Sequence, residues 1–218
     1  MARPRTHDDA LRTRLLEVAS RTTSERGEAA VTVRSVAAEA GTSPSAVYAL
    51  FGSREKLLAA VTAEGFRRFA EHLAAVPRTA DPLADLRALG LAYRTSALAD
   101  PHFYRVMFER GVERPGDGGD ADRDDDTGEP GASPEGDPGG GHVPSTGRST
   151  FGVLRDAVAR VLPRASAERV ETVALGLWGL VHGLVSLELA GRFDDGPETR
   201  ARRYAETLGT LGPLLMTG

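Results

Sequence analysis

Two cationic side chains, Arg54 and Lys56, lie within the three residues that follow a serine that can cap a helix. If Ser53 is that cap, free backbone N–H groups and the positive end of the helix dipole lie in the first turn beside both cations. Cations and unpaired N–H groups together are suited to holding a phosphate. The first candidate site is therefore an anion-binding helix start.

The preceding residues predict two short helices that would position this site. Thr32 can cap a first helix, Gly41 can adopt the left-handed backbone of a tight turn, and Ser43 can cap a second helix. Apolar spacing turns Val47, Leu50 and Phe51 inward. This leaves a largely outward face made of Ser45, Ala46, Tyr48 and Ala49. The pattern is that of a helix-turn-helix, whose second helix can enter a DNA major groove. A plain helical hairpin within a bundle is the alternative.

A longer motif favours the helix-turn-helix. It reads Ala37-x-x-Ala40-Gly41-x-Ser43-Pro44, followed by Tyr48-x-x-Phe51-x-Ser53-Arg54-Glu55-x-Leu57. This spacing resembles the N-terminal signature of the tetracycline-repressor (TetR) family of bacterial transcription regulators. The resemblance implies a DNA-binding domain at the N-terminus and a helical domain for effector binding and dimerisation after it.

The resemblance also implies roles for individual residues. Those expected to contact the phosphate backbone are Thr32, Thr42, Ser43, Tyr48 and Arg54. Those expected near base edges are Arg34, Ser45, Ala46 and Ala49.

Two departures from the family pattern bear on base recognition. Arg54 stands where the family usually has lysine, and Ala49 and Leu50 stand where it often has polar or aromatic residues. The recognition helix therefore offers few hydrogen-bond donors. Arg34 becomes the best candidate for a bidentate guanine contact, and Ala46 and Ala49 are available to thymine methyl groups.

A second resemblance lies near the C-terminus. Trp178 and His182 belong to a Trp-x-x-x-His-Gly sequence, which is similar to the C-terminal domain of a TetR subgroup named for those residues. Gly179 and Gly183 would let another backbone approach closely. His182 is either a hydrogen-bonded core histidine or a group that polarises a ligand. Metal ligation is not expected, because the five histidines show no paired ligand spacing.

The larger domain is expected to hold both an effector cavity and a dimer interface. Residues that could line a mainly apolar cavity are Phe66, Phe69, Tyr93, Phe103, Tyr104, Met107, Phe108, Trp178 and His182. Aromatic residues at helical spacing are also typical of an ordinary core. By resemblance, the last two helices pair with those of a second subunit, through Leu180, Leu184, Leu187, Leu208, Leu211 and Leu215.

Helical periodicity recurs along the chain and strand signals are scarce, so we predict an all-α fold of about nine helices. Residues 1–53 form the predicted DNA-binding domain and residues 54–218 the effector-binding and dimerisation domain. Residues 115–147 contain 10 Gly, 5 Pro and 9 acidic residues but only one arginine. Such a segment cannot bury enough apolar area to offset its ordering entropy, and we predict a disordered acidic insertion.

Overall composition narrows the functional classes. The chain has 218 residues, no cysteine and a formal net charge of −4. The insertion contributes one basic and nine acidic residues, so the remainder carries 26 basic against 22 acidic residues, or +4. The N-terminus has no apolar signal-peptide core, and the apolar stretch 173–187 is short for a membrane span and contains His182. We therefore expect a cytoplasmic protein without a membrane partner.

These features predict a homodimeric repressor that binds a palindromic operator and is released by a small, largely apolar effector. No cofactor is expected. An enzyme is disfavoured, because no nucleophile with a base, no pair of carboxylates and no metal cluster has supporting context. The remaining alternative is a helical ligand-binding or protein-interaction module with this fold in which DNA binding is weakened or lost.

Overall fold

Helices make up the regular structure of this protein. The computed structural model describes residues 5–109 and 150–217. In chain order the helices are α1 (Arg5–Arg26), α2 (Val33–Glu39), α3 (Pro44–Phe51), α4 (Arg54–Ala74), α5 (Pro82–Ala99), α6 (Pro101–Glu109), α7 (Thr150–Val161), α8 (Ala167–Leu189) and α9 (Pro197–Met216), with a short 3-10 turn at Glu28–Ala30. The predicted all-α fold of about nine helices is confirmed over these ranges. The predicted insertion at 115–147 lies outside the described residues.

Side-chain caps explain where several helices begin. The Asp81 carboxylate accepts hydrogen bonds from the backbone N–H groups of Leu83 and Ala84, at 3.1 and 3.0 Å, so α5 begins at Pro82. Ser166 accepts from the N–H of Arg169 at the start of α8. Each cap satisfies donors that lack a partner within the helix.

The N-terminal core is formed by α1 to α4 and by one later helix. Its buried residues include Leu15, Val36 and Leu57, and α6 adds Phe103 and Val106. The core therefore takes in part of α4, beyond the predicted boundary at residue 53. That boundary stays a prediction.

Two further cores lie in the larger part of the chain. One is formed by α4, α5, α6, α8 and α9, with Phe69, Tyr93 and Val185 among its buried residues. The other lies between α5, α7 and α8, around Leu86, Val158 and Val173. Both α4 and α6 contribute to the N-terminal core and to the first of these, so two helices connect the predicted DNA-binding unit with the rest of the molecule.

Candidate nucleic-acid interface and effector cavity

The first helix of the helix-turn-helix is fixed by a reciprocal cap. The N–H of Ser35 donates to Thr32 Oγ1, and the N–H of Thr32 donates to Ser35 Oγ, both at 3.0 Å. Gly41 then takes a φ of +68° in the turn, which favours glycine. Arg34 is exposed on α2 and Thr42 is half-buried in the turn. Arg34 is thus accessible to a partner, although its base contact stays a prediction.

The second helix presents most of the predicted outward face. Val47 and Phe51 are buried against the core and hold α3 in place. Tyr48 is 54% exposed, Ser45 and Ala49 are exposed, and Ala46 is half-buried. Ser43 caps the helix and lies 2.8 Å from the Ser45 hydroxyl. The exposed face of α3 is therefore made of small side chains and one tyrosine.

Arg54 has a structural role that the sequence did not indicate. Its Nε donates to the carbonyl oxygen of Val31 and its Nη2 to that of Glu28, both at 2.6 Å. The guanidinium thus ties the start of α4 to the loop before α2, rather than facing outward with all its donors free. The expected phosphate contact of Arg54 stays a prediction.

Lys56 differs from Arg54. It is exposed in the first turn of α4, where its N–H donates to the Ser53 hydroxyl at 3.2 Å. Its ammonium group forms no ion pair or hydrogen bond with the residues that the structure describes. Of the two cations predicted to hold a phosphate, Lys56 is the one whose charge is available.

A cavity of about 340 Å³ lies between α4, α5, α7, α8 and α9. Its walls are mostly apolar, and they include three of the predicted residues, Phe69, Tyr93 and Trp178. The other residues that line it are Leu73, Asp81, Leu83, Ala84, Leu86, Arg87, Leu89, Gly90, Thr150, Phe151, Val153, Leu154, Leu177, Val181, Leu208, Gly209, Gly212, Pro213 and Met216. A volume in this range and an apolar lining are typical of small-molecule sites, which span roughly 300–1,000 Å³.

Six predicted ligand-site residues do not line this cavity, and packing explains the difference. They are Phe66, Phe103, Tyr104, Met107, Phe108 and His182. Phe103 is buried in the N-terminal core, where Arg68 stacks over its ring at 4.5 Å. Phe66 and Phe108 contact each other edge to face at 6.1 Å. Sequence reasoning missed α7, whose Phe151, Val153 and Leu154 line the cavity in their place.

His182 belongs to a buried polar cluster beside the cavity. Its Nδ1 lies 3.0 Å from the Tyr93 hydroxyl and 2.8 Å from the Tyr104 hydroxyl, and those hydroxyls lie 3.2 Å apart. Burial raises the pKa of Tyr93 well above its ordinary value, so Tyr93 stays neutral. Of the two interpretations of His182, its contacts favour the hydrogen-bonded core histidine. Within 5–109 and 150–217, no group of three or more histidine or acidic residues could hold a metal ion.

The last two helices expose part of the predicted dimer face. Leu187, Leu211 and Leu215 are exposed, as are Leu175 and Leu214, which the sequence analysis missed. Leu180 and Leu184 are half-buried against their own core. Leu208 differs from the expectation that it lies on the dimer face. It is only 9% exposed, because it packs against Gly90 of α5.

The face of α8 beside these leucines is open. A Cβ placed at Gly179 or Gly183 would meet no atom within 4 Å. By length and composition alone, α8 could also cross a membrane, and among the described helices it is the one that meets this test. About one third of its most apolar stretch is buried within the chain. Much of this apolar helix is therefore left for contacts outside a single chain.

Comparison with known proteins assigns the family. Residues 15–61 match the family model described as "Bacterial regulatory proteins, tetR family", and residues 86–211 match "Tetracyclin repressor-like, C-terminal domain". The chain belongs to the TetR family. These matches indicate a transcriptional regulator with a helix-turn-helix DNA-binding domain, not an enzyme. TetR regulators bind DNA and act as dimers. The Trp-x-x-x-His-Gly subgroup stays a prediction.

Individual TetR relatives agree with this assignment. The HTH-type transcriptional regulator BetI of Brucella anthropi is 37% identical over 79 residues, which are 36% of this chain and 41% of that protein. A TetR-like transcriptional regulator from Rhodococcus sp. RHA1 superposes with a TM-score of 0.65, at 17% identity and with complete coverage of both chains. The TetR regulator PfmR from Thermus thermophilus gives a TM-score of 0.60 at 19% identity, covering 89% of this chain and 96% of its own. The two structures support the fold alone.

Proposed function

We propose that this TetR protein is a homodimeric repressor that binds a palindromic operator and is released by a small, largely apolar effector. The exposed face of α3 and the available Lys56 charge support DNA binding at the N-terminus. In a symmetric dimer, two such faces would read half-sites about one helical turn apart, roughly 34–36 Å, or a multiple of that distance.

One observation carries the regulatory part of the proposal. α4 contributes Leu57, Leu58 and Val61 to the core of the DNA-binding unit, and Phe69 and Leu73 to the cavity wall. A single continuous helix therefore contacts both places. An effector that binds better to a state with displaced α4 would shift the population towards a spacing of the two α3 helices that no longer fits the operator.

The apolar surface of α8 and α9 supports the homodimer. Leu175, Leu187, Leu211 and Leu214 are exposed large residues, and a contiguous exposed apolar surface is typical of an interface. Glycine within a helix costs roughly 0.5–1 kcal/mol relative to alanine, and no contact within the described part of the chain requires glycine at positions 179 and 183. The close approach of a second helix gives both glycines a role.

The composition of α3 keeps the alternative function open to test. Its exposed face offers only Ser45 and Tyr48 as hydrogen-bond donors, so a binding module that has lost DNA recognition would show the same fold. Selection of bound sequences from random duplex DNA by the full chain separates the two. We expect enrichment of a palindrome.

Two matched variants sharpen this selection. Ala49→Glu places a negative charge on the exposed face of α3 and should abolish enrichment, because the charge would meet the phosphates and base edges. Ala70→Glu makes the same change at an exposed position in the second half of α4 and should leave enrichment intact. If the unmodified chain enriches no palindrome, or if both variants behave alike, the repressor proposal is wrong.

A further inference from the structure

The cavity opens at the surface between the start of α5 and the last turns of α9. Several of its lining residues are exposed there, namely Asp81, Leu83 and Arg87 on the α5 side and Gly209 and Pro213 on the α9 side. The lining residues deeper in the fold, such as Val181 and Phe69, are buried and apolar. The cavity therefore has an apolar interior and a mouth that contains charged groups.

Arg87 is the available charge at this mouth. Asp81 and Arg87 are the charged residues among those that line the cavity. The Asp81 carboxylate is already used, since its Oδ1 accepts hydrogen bonds from the N–H groups of Leu83 and Ala84. Arg87 forms no hydrogen bond or ion pair with any residue in the described part of the chain. Its five N–H donors are free for a ligand.

Gly209 leaves the Arg87 guanidinium accessible. A Cβ built at Gly209 would lie 3.7 Å from Arg87 Nη2 and 3.9 Å from its Cζ, so the guanidinium lies directly over this glycine. A longer side chain at this position would have to share the space beside the guanidinium. Tyr93 is a polar residue of the cavity wall, and its hydroxyl is already within hydrogen-bond distance of Tyr104 and His182.

We propose that the effector is an anionic amphiphile, whose apolar body fills the cavity and whose carboxylate, or a similar anionic group, pairs with Arg87 at the mouth. This inference rests on the proposed function and adds the charge of the ligand and the direction in which it enters. Burial of the apolar body supplies most of the affinity, since the walls are apolar. The planar guanidinium suits a carboxylate held in two parallel hydrogen bonds, and it fixes the orientation of the ligand.

The orientation follows from the distribution of charge. A carboxylate in the cavity interior would lose its hydration and meet mostly apolar walls, which is unfavourable for an ion. At the mouth the same group stays partly hydrated and contacts Arg87. A neutral amphiphile can accept a hydrogen bond from Arg87 but forms no ion pair with it, and a cationic amphiphile is repelled by it. Preference for an anionic ligand therefore depends on Arg87, the cation among the residues that line the cavity.

Three probes that share one alkyl chain test the proposal: octanoate, 1-octanol and octyltrimethylammonium, each below its micelle-forming concentration. Trp178 lines the cavity and is the single tryptophan of the chain, so its fluorescence reports occupancy of this cavity directly. We expect octanoate to bind the full chain about fivefold more tightly than 1-octanol, and octyltrimethylammonium to bind most weakly. Added salt should reduce the octanoate preference, because the ion pair is at the surface.

Variants of Arg87 assign the preference to its charge. Arg87→Gln should weaken octanoate binding about fivefold and leave 1-octanol binding unchanged, whereas Arg87→Glu should reverse the preference in favour of octyltrimethylammonium. Arg155→Gln removes a similarly exposed arginine from α7 that does not line the cavity, and it should change none of the three affinities. Arg87 is exposed, so its replacement leaves the core intact.

Defined outcomes would overturn the proposal. Equal affinities for octanoate and 1-octanol in the unmodified chain would do so, as would an equal effect of Arg87→Gln on both probes. Octanoate binding that leaves Trp178 fluorescence unchanged would place the ligand elsewhere and would also overturn it. Selection of operator DNA uses none of these probes, so failure of the proposed function would be seen separately, as the absence of an enriched palindrome.

Discussion

Arg54 and Val31 are joined by a hydrogen bond of 2.6 Å, from the guanidinium Nε to the backbone carbonyl oxygen. The bond connects residues 23 positions apart, and a second one to the Glu28 carbonyl lies beside it. Together they fix the start of α4 against the loop from which α2 begins. Arg54 thereby positions the helix-turn-helix relative to α4.

Replacing Arg54 should therefore lower the stability of the folded protein more than it changes the salt dependence of DNA binding. Arg54→Ala leaves two carbonyl groups without their donors, and we expect the free energy of unfolding to fall by about 1–3 kcal/mol. Operator affinity should fall at every salt concentration alike, so that its salt dependence is preserved. Urea unfolding and fluorescence anisotropy over a salt series measure the two effects.

Lys56→Ala is the matched control for Arg54→Ala. The exposed Lys56 ammonium group forms no hydrogen bond or ion pair with the residues that the structure describes. Its removal should therefore leave the free energy of unfolding unchanged. If it binds a phosphate, the slope of log K against log salt should become shallower by about one unit per subunit. A shallower slope for Arg54→Ala with normal stability would support the phosphate contact expected of Arg54.

Arg34 is the residue from which we expect base specificity. It is exposed on α2 and its guanidinium can pair with one guanine, a contact worth about 1–3 kcal/mol of discrimination. Arg34→Ala should relax base preference at one position of each half-site and leave the other positions unchanged. Selection from random DNA with both proteins measures this, and a uniform loss over all positions would show instead that Arg34 binds the backbone.

Local chemistry explains why the helix starts could be predicted. Ser43 and Ser53 each accept a hydrogen bond from an N–H three residues later, so the whole interaction lies within a few residues of sequence. The outward face of α3 was predictable for a similar reason, since Val47 and Phe51 share one face of a short helix.

Contacts between distant elements could not be predicted in this way. Leu208 lies on the same seam as Leu211 and Leu215, and the spacing alone does not show that it packs against Gly90. Phe103 is placed in the N-terminal core because α6 packs on α1, a pairing that no local pattern indicates. The residues that line the cavity could not be predicted for the same reason: aromatic spacing is equally compatible with core and cavity.

The Tyr93 hydroxyl should contribute to stability through its two polar neighbours. Tyr93→Phe removes a hydroxyl that lies 3.2 Å from that of Tyr104 and 3.0 Å from His182 Nδ1, and should lower the free energy of unfolding by about 1 kcal/mol. Tyr48→Phe makes the same change at an exposed site and should have no effect. A double-mutant cycle with Tyr104→Phe should be non-additive, and strict additivity would show that the cluster is not cooperative.

Asp85 should make stability depend on acidic pH. Hydrogen bonds from Thr79, together with Arg160 at 2.7 Å, hold the pKa of the Asp85 carboxyl at about 2, below its usual value of 3.8. Because the folded-state pKa is depressed, this stabilisation is complete above about pH 4 and is lost as the pH falls towards 2. Asp85→Asn should therefore lower the urea midpoint at pH 7, by an amount that shrinks between pH 4 and 2.

The control for Asp85 is an exposed pair. Glu71 bonds to Arg67 on the surface of α4 with 65% of its side chain exposed, so Glu71→Gln should change the midpoint little at any pH. If the urea midpoint of Asp85→Asn stays below that of the unmodified protein by the same amount from pH 7 to pH 2, the loss of stability comes from packing and not from the charge.

The exposed leucines of α8 and α9 should determine the oligomeric state. Leu187→Glu and Leu214→Glu each introduce a charge at an exposed position. Leu187 is 47% and Leu214 63% exposed in a single chain, so the subunit should still fold. A carboxylate buried without a partner at a subunit interface is strongly unfavourable, and both variants should sediment as monomers at micromolar concentration. Leu91→Glu, at a 40% exposed leucine of α5, should remain dimeric. A monomer contacts only one half-site, so the loss of the dimer should also lower operator affinity. If Leu187→Glu and Leu214→Glu remain dimeric, the subunit interface lies elsewhere.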